Sequence, residues 1–159
     1  MKLHGFCDSD WASARMGRVS HSGAAFFFVE AIFAIISKRQ TIDAESVAMC
    51  KFAKEAAWIR QVPHDMGYKK PDAECIEMNC DSQGALSLAE NPEYHQRTKH
   101  IDIKYHYVRS EVATKKLELF YVQSKDNAAD GFTKPLSETN HVVWVKLLGM
   151  KVLPYGTQS

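Results

Sequence analysis

Apolar positions along this chain come in short runs, and the spacing within each run predicts its element. Residues 3–8 read as a first strand that runs directly into two acids, Asp8 and Asp10. A polar connection over 9–23 leads to a Phe-rich run at 24–29, suited to a sheet, and residues 31–36 can pair with it as a hairpin. The turn between them, Val29-Glu30-Ala31, has none of the Gly or Asn that tight hairpins favour. From residue 43 the period becomes helical: Ala44, Ala48, Phe52, Ala56 and Ile59 recur three and four apart, and Asp43 and Glu45 suit the positive N-terminal end. Pro63 is expected to end this helix near residue 62.

The second half repeats the alternation. A strand over 75–80 ends in Asp81, and a short helix at 83–89 stops before Asn91-Pro92. Residues 100–116 read as a helix with Ile103, Tyr107, Val108 and Val112 on one side, 117–122 as a strand, and 127–134 as a helical turn. A last helix at 137–148 is opened by Ser137-Glu138 and closed by Gly149. The predicted order gives an α/β sheet covered by helices, antiparallel at its start and parallel later. One domain over 1–150 with a tail over 151–159 accounts for the chain.

Composition narrows the class. With 159 residues, 45% hydrophobic and 25% charged, the chain is long enough to bury a core and too apolar to be disordered. The longest apolar run, 24–37, is interrupted by Glu30 and falls short of a membrane span, so a soluble intracellular protein, cytoplasmic or nuclear, with no membrane partner is expected. Cysteines 7, 50, 75 and 80 form no C-x-x-C pair and read as buried thiols. A net charge of +1 confines any nucleic-acid grip to a local patch. Residues 93–118 offer one, with Arg97, Lys99, Lys104 and Arg109 among three tyrosines and His95, His100 and His106; a solvated helix face fits the same residues.

The chemistry gathers at element ends. Asp8, Glu45, Asp81 and Asp130 each close a strand or open a helical stretch, and a carboxylate at the end of a buried strand is costly without a cation to share the site. Mg²⁺, which takes oxygen ligands, fits such a set, with Mn²⁺ as the alternative ion. On spacing alone, four of nineteen acids falling near element ends is equally well explained by the general preference of carboxylates for helix starts.

Longer motifs separate these readings. Cys7-Asp8-Ser9-Asp10-Trp11-Ala12, Ser37-Lys38-Arg39-Gln40, Lys54-Glu55-Ala56 with Trp58, Cys80-Asp81-Ser82-Gln83, Arg97-Thr98-Lys99-His100-Ile101-Asp102 and Ala129-Asp130 followed by Phe132-Thr133-Lys134-Pro135-Leu136 lie in order along nearly the whole chain. In these the sequence resembles the type I ribonuclease H domain of copia-type LTR retrotransposon polyproteins. The resemblance implies a five-stranded mixed sheet of order 3-2-1-4-5 with helices on both faces, and Mg²⁺-dependent cleavage of the RNA strand of RNA·DNA hybrids, next to an upstream reverse transcriptase. It implies that Asp8, Glu45, Asp81 and Asp130 hold two Mg²⁺ ions, one through Asp8 and Asp130 and the other through Asp8, Glu45 and Asp81. Arg97, Lys99, His100, Asn79 and Gln83 are the candidate nucleic-acid contacts.

The chain departs from the family between Gln40 and Ala44, where several residues are missing, so the third strand is expected to end early and to hold Glu45 loosely, with low activity. Ser46, Gly131 and a 123–127 loop without histidine depart as well. A rival class is a non-catalytic, domesticated module that binds nucleic acid or protein. A third, an exonuclease or resolvase on the same fold, is disfavoured by the motif after Asp130.

Overall fold

In the computed structural model the described residues are 3–10, 20–28, 31–40, 44–65, 67, 75–90 and 99–150, excluding the side chains at 40, 44–47, 62–64 and 99–104. Five strands form one sheet: β1 (Leu3–Asp10), β2 (Ser20–Phe28), β3 (Ala31–Gln40), β4 (Ile76–Cys80) and β5 (Leu117–Tyr121). Their spatial order is β3-β2-β1-β4-β5, with β1, β2 and β3 antiparallel and β1, β4 and β5 parallel. This is the expected architecture. Four helices surround it: α1 (Ala44–Asp65), α2 (Gln83–Glu90), α3 (Lys99–Ala113) and α4 (Glu138–Leu147).

The core lies on both sides of the sheet. Ala24, Ala25, Phe26 and Phe27 are all buried, as a central strand covered on both faces requires. On one face Phe26 stacks on Phe52 of α1 at 4.5 Å between centroids, among Cys7, Met49, Ile76, Met78, Tyr105 and Val108. Gly5 admits this contact, because a Cβ there would fall 2.6 Å from the Phe52 ring and 2.7 Å from the Ala25 carbonyl oxygen. On the other face Ala25, Phe27, Ala128 and Leu148 meet Phe6, Phe132 and Trp144.

Four boundaries differ from the expected ones. β1 and β2 pair through Ser9↔Ser22 and Asp10↔His21, so much of the supposed polar connection is sheet; Ser20 and Ser22 are buried there, and ladder bonds do not depend on apolar side chains. β3, expected to be short, runs ten residues, and its last pair is Ser20↔Gln40. The residues absent before α1 therefore do not shorten its pairing with β2. Pro63 lies inside α1, which continues to Asp65, because a proline in the last turn removes one hydrogen bond close to where the helix ends anyway. α3 stops at Ala113, three residues before Lys116: Lys115 adopts the left-handed conformation (φ 55°), while its N–H reaches the Val112 carbonyl and that of Lys116 the Glu111 carbonyl.

Candidate metal centre

Register brings the first two acids together. β1 and β4 run parallel with Cys7 opposite Cys80, so Asp8 and Asp81, each one residue further on, come side by side where β4 ends, two residues before the carboxyl end of β1. That end of an open α/β sheet is where ligands collect. Asp8 is 5% exposed and Asp81 half-buried.

Asp130 arrives from far along the chain, and a residue the sequence reading did not single out delivers it. Asn127 is wholly buried; its Nδ2 donates to the Cys7 carbonyl oxygen at 3.0 Å and its Oδ1 accepts from the Ala129 N–H at 3.0 Å. One side chain thus staples the last strand of backbone before Asp8 to the 3₁₀ turn Asp130–Phe132. Ser37 Oγ of β3 donates to the Phe132 carbonyl at 2.9 Å, and Trp144 Nε1 of α4 to the Ala128 carbonyl at 2.8 Å, fixing the turn from two more sides. The sequence carries no signal for this role, because both the burial of Asn127 and its Cys7 partner arise only in the folded chain, where a buried amide must find partners.

The three carboxylates each offer an oxygen within 4.8 Å of the others. Asp8 and Asp81 border a cavity of about 340 Å³, lined also by Ser9, Asp10, Ser82 and Lys134. Ser124 Oγ donates to Asp81 Oδ2 at 2.6 Å. The Thr133 hydroxyl donates to Asp8 Oδ2 and lies 2.9 Å from the Asp130 carbonyl oxygen. Lys134 Nζ pairs with Asp130 Oδ1. Burial pushes the Asp8 carboxyl up to about 6, the charges of Asp81 and Asp130 add to the rise, and the Thr133 hydrogen bond and the Lys134 charge oppose it. Burial works to lower the Lys134 ammonium, but the Asp130 carboxylate, joined by Asp8 and Asp81, holds it above its ordinary value.

This set fits a hard divalent cation. All three donors are carboxylate oxygens gathered within 4.8 Å of one another, the hard oxygen ligands that Mg²⁺ takes. The cluster already holds a cation in Lys134, whose ammonium stands in for part of the charge an ion would supply.

Thr133→Val removes the one hydroxyl donated to Asp8. The variant is expected to lose about 1.5–3 kcal/mol at neutral pH, the usual worth of a hydrogen bond to a charged group, and to shift the Asp8 titration upward. Denaturant unfolding and carboxyl-carbon NMR read the two effects; an unmoved Asp8 titration contradicts the assignment.

The remaining expected residues fall as follows. The α1 backbone begins at Ala44, which puts Glu45 in its first turn, but the Glu45 side chain lies outside the described residues. Arg97 lies outside them entirely, and Lys99 and His100 open α3 with side chains outside the description. Asn79 Nδ2 donates to the Gly5 carbonyl at 3.0 Å, and Gln83 is the exposed first residue of α2, directly after Ser82. Cys7, Cys50 and Cys80 are buried, as expected, and Cys75 is half-buried. Trp58 is 62% exposed, because α1 turns its Lys54, Glu55 and Gln61 side to solvent. No helix among the described residues is long and apolar enough to cross a membrane.

No family model matches the chain. It is 32% identical over 154 residues to the Retrovirus-related Pol polyprotein from transposon TNT 1-94 of Nicotiana tabacum, covering 93% of this chain and 11% of the polyprotein. It is 31% identical over 160 residues to that from transposon RE1 of Arabidopsis thaliana, covering 97% and 11%. The chain thus spans about a ninth of the length of these relatives. Among solved structures, LC11-RNase H1, isolated from compost by a metagenomic approach, superposes with a TM-score of 0.62 at 13% identity, over 83% of this chain and 92% of that one. RNase H1 from the halophilic archaeon Halobacterium salinarum NRC-1 gives 0.57 at 18%, over 84% and 95%. The Prototype Foamy Virus Protease-Reverse Transcriptase gives 0.58 at 12%, over 96% of this chain and 21% of that one.

Proposed function

We propose that this chain, a homologue of retrotransposon Pol polyproteins with the ribonuclease H fold, is an endonuclease that hydrolyses the RNA strand of RNA·DNA hybrids using divalent cations. The observation that carries the reading is the meeting of Asp8, Asp81 and Asp130, from three distant segments, with oxygens within 4.8 Å. LC11-RNase H1 has also been solved in complex with an RNA/DNA hybrid, at a TM-score of 0.58 to this chain, which supports the same substrate here.

Asp8, Asp81 and Asp130 would hold the Mg²⁺ ions, with Glu45 as the fourth ligand that the family resemblance implies. Two such ions supply a water activated for in-line attack on the scissile phosphate and a counter-charge for the leaving 3′ oxygen. The chain's own part is positioning. Thr133 keeps the buried Asp8 carboxylate ionised, Ser124 fixes the Asp81 carboxylate, and Asn127 holds the Asp130 turn against the end of β1. Preference for RNA needs contacts to 2′-hydroxyls across the wide minor groove, and Ser9 and Asp10 on the cavity wall, together with Asn79 and Gln83, would be the polar groups to supply them. Arg97, Lys99 and His100 would meet the phosphate backbone. The reading makes the chain the ribonuclease H part of a longer polyprotein with a reverse transcriptase upstream, acting inside the cell where hybrids are made. The non-catalytic alternative drew on a truncated third strand; the pairing of β3 through Gln40 and the convergence of three acids favour the enzyme.

A metal-free test follows from Asp8. Its folded-state value of about 6 lies above the ordinary 3.8, so the folded chain holds that proton more tightly than the unfolded one. The stabilisation is complete below about pH 4 and is lost as pH rises to about 6, about 3 kcal/mol in all. Denaturant unfolding in EDTA, as the difference between the wild type and Asp8→Asn, is expected to show that fall, and saturating Mg²⁺ to reverse it at neutral pH. A difference flat across this range, or no response to Mg²⁺, contradicts the proposed centre. Loss of the RNA strand, and not the DNA strand, from a labelled hybrid in Mg²⁺ tests the activity itself.

A further inference from the structure

Lys134 does more in this geometry than a surface lysine. It follows the 3₁₀ turn that carries Asp130, and its own N–H bonds back to the Asp130 carbonyl oxygen at 3.3 Å, so the root of its side chain is fixed above the carboxylate. Its ammonium meets Asp130 Oδ1, and among the described residues that buried oxygen has no other partner. The same side chain forms one wall of the cavity that Asp8 and Asp81 border. It is also 37% exposed, which leaves the four-carbon stem a path outward.

Three carboxylates held within 4.8 Å repel one another, and a single ammonium offsets one of the three charges. A divalent cation offsets two and brings several coordination bonds, and its charge repels an ammonium held a few ångströms away on the same carboxylate. Resting on the metal reading above, we propose that Lys134 is a tethered counter-ion: it occupies the carboxylate cluster in the metal-free chain and is displaced when a divalent cation binds, so that it sets the metal affinity of the site. It acts through Asp130 as a positioning residue and takes no part in bond breaking.

This has an unusual sign. Removing an ordinary structural contact loosens a metal site, whereas removing a competing cation tightens it. Calorimetric titration of the full chain with Mg²⁺ at neutral pH and low salt is expected to show Lys134→Met binding on the order of tenfold more tightly than the wild type, because the ion no longer evicts a like charge a few ångströms away. Without metal the variant is expected to melt lower than the wild type, and the gap to close at saturating Mg²⁺. Lys134→Arg, which keeps a cation, is expected to bind no more tightly than the wild type. Lys134→Gln serves as the second neutral variant, and folding only in the presence of Mg²⁺ supports the proposal in its strongest form. Mg²⁺ binding unchanged or weakened in both neutral variants overturns it, and a wild type that binds no Mg²⁺ overturns it together with the metal reading. A chain that binds Mg²⁺ with the expected order of affinities but cuts no hybrid overturns only the hydrolase reading.

Discussion

Asp81→Asn is expected to abolish cleavage of RNA·DNA hybrid in Mg²⁺ while leaving the fold in place. Asp81 stands one residue beyond β4, half-buried, with its Oδ2 receiving the Ser124 hydroxyl at 2.6 Å. Asparagine keeps the volume and an oxygen able to accept that bond, and it removes one of three mutually repelling charges, so stability is expected to hold or rise slightly. The metal, by contrast, loses an anionic ligand. Mutating residues that only support metal ligands typically costs 10–100-fold, so losing a ligand is expected to cost at least about a hundredfold in single-turnover rate. Wild-type cutting by the variant would mean that the three aspartates are not the centre.

Gly131→Ala is expected to damage stability and activity together. The Trp144 indole lies over Gly131, pinned by its Nε1 donation to the Ala128 carbonyl at 2.8 Å and set edge-on to Phe132 at 5.0 Å between centroids. A Cβ at position 131 would fall 2.6 Å from Trp144 Cδ2. Either the indole tips and loses its hydrogen bond, or the turn shifts and carries Asp130 with it. Overpacking of this kind costs about 1–3 kcal/mol, and a displacement of about 1 Å in a catalytic group costs about a hundredfold in rate. Denaturant unfolding and cleavage rates check both. Adding Trp144→Leu, which makes room, is expected to recover part of the loss in a double-mutant cycle; a Gly131→Ala chain as stable as the wild type would show that the indole does not constrain the turn.

These two residues mark where the sequence was legible and where it was not. Asp8 and Asp81 could be read because each ends a short run of strand-like residues, and parallel pairing then brings equivalent strand ends together. Gly131, by contrast, departed from the family pattern with no visible reason, because its reason is an indole thirteen positions later on another helix. Asn127, Thr133 and Lys134 stand at the site for the same kind of cause: their partners, the Cys7 carbonyl, the Asp8 carboxylate and the Asp130 carboxylate, are fixed by tertiary contact and leave no local period. The early part of β2 was missed because Ser20 and Ser22 are polar yet buried, which the alternation of apolar residues cannot signal. The end of β3 was missed because Ser37, Lys38 and Arg39 are exposed on an edge strand, where they are held by backbone pairing with β2 and, at Ser37, by a hydrogen bond to the Phe132 carbonyl, neither of which leaves an apolar pattern. The sheet order was expected only through the family resemblance that the motifs carry; the periodicity by itself gave a mixed α/β sheet without an order.

The continuation of β3 also bears on Glu45. An early end of that strand was the ground for expecting a loosely held ligand and low activity, and the strand keeps its pairing to Gln40, leaving residues 41–43 between it and the helix that carries Glu45. Full rather than residual activity is the outcome this pairing favours.

Cleavage of an RNA·DNA hybrid labelled on each strand, run in Mg²⁺ and in EDTA side by side, tests the assignment most directly. A centre built on Asp8, Asp81 and Asp130 predicts internal cuts in the RNA strand that leave 3′-hydroxyl ends, an intact DNA strand, and no cuts in EDTA or with Asp81→Asn. An RNA strand that stays whole in both Mg²⁺ and Mn²⁺, with the chain folded and bound to the hybrid, would contradict it.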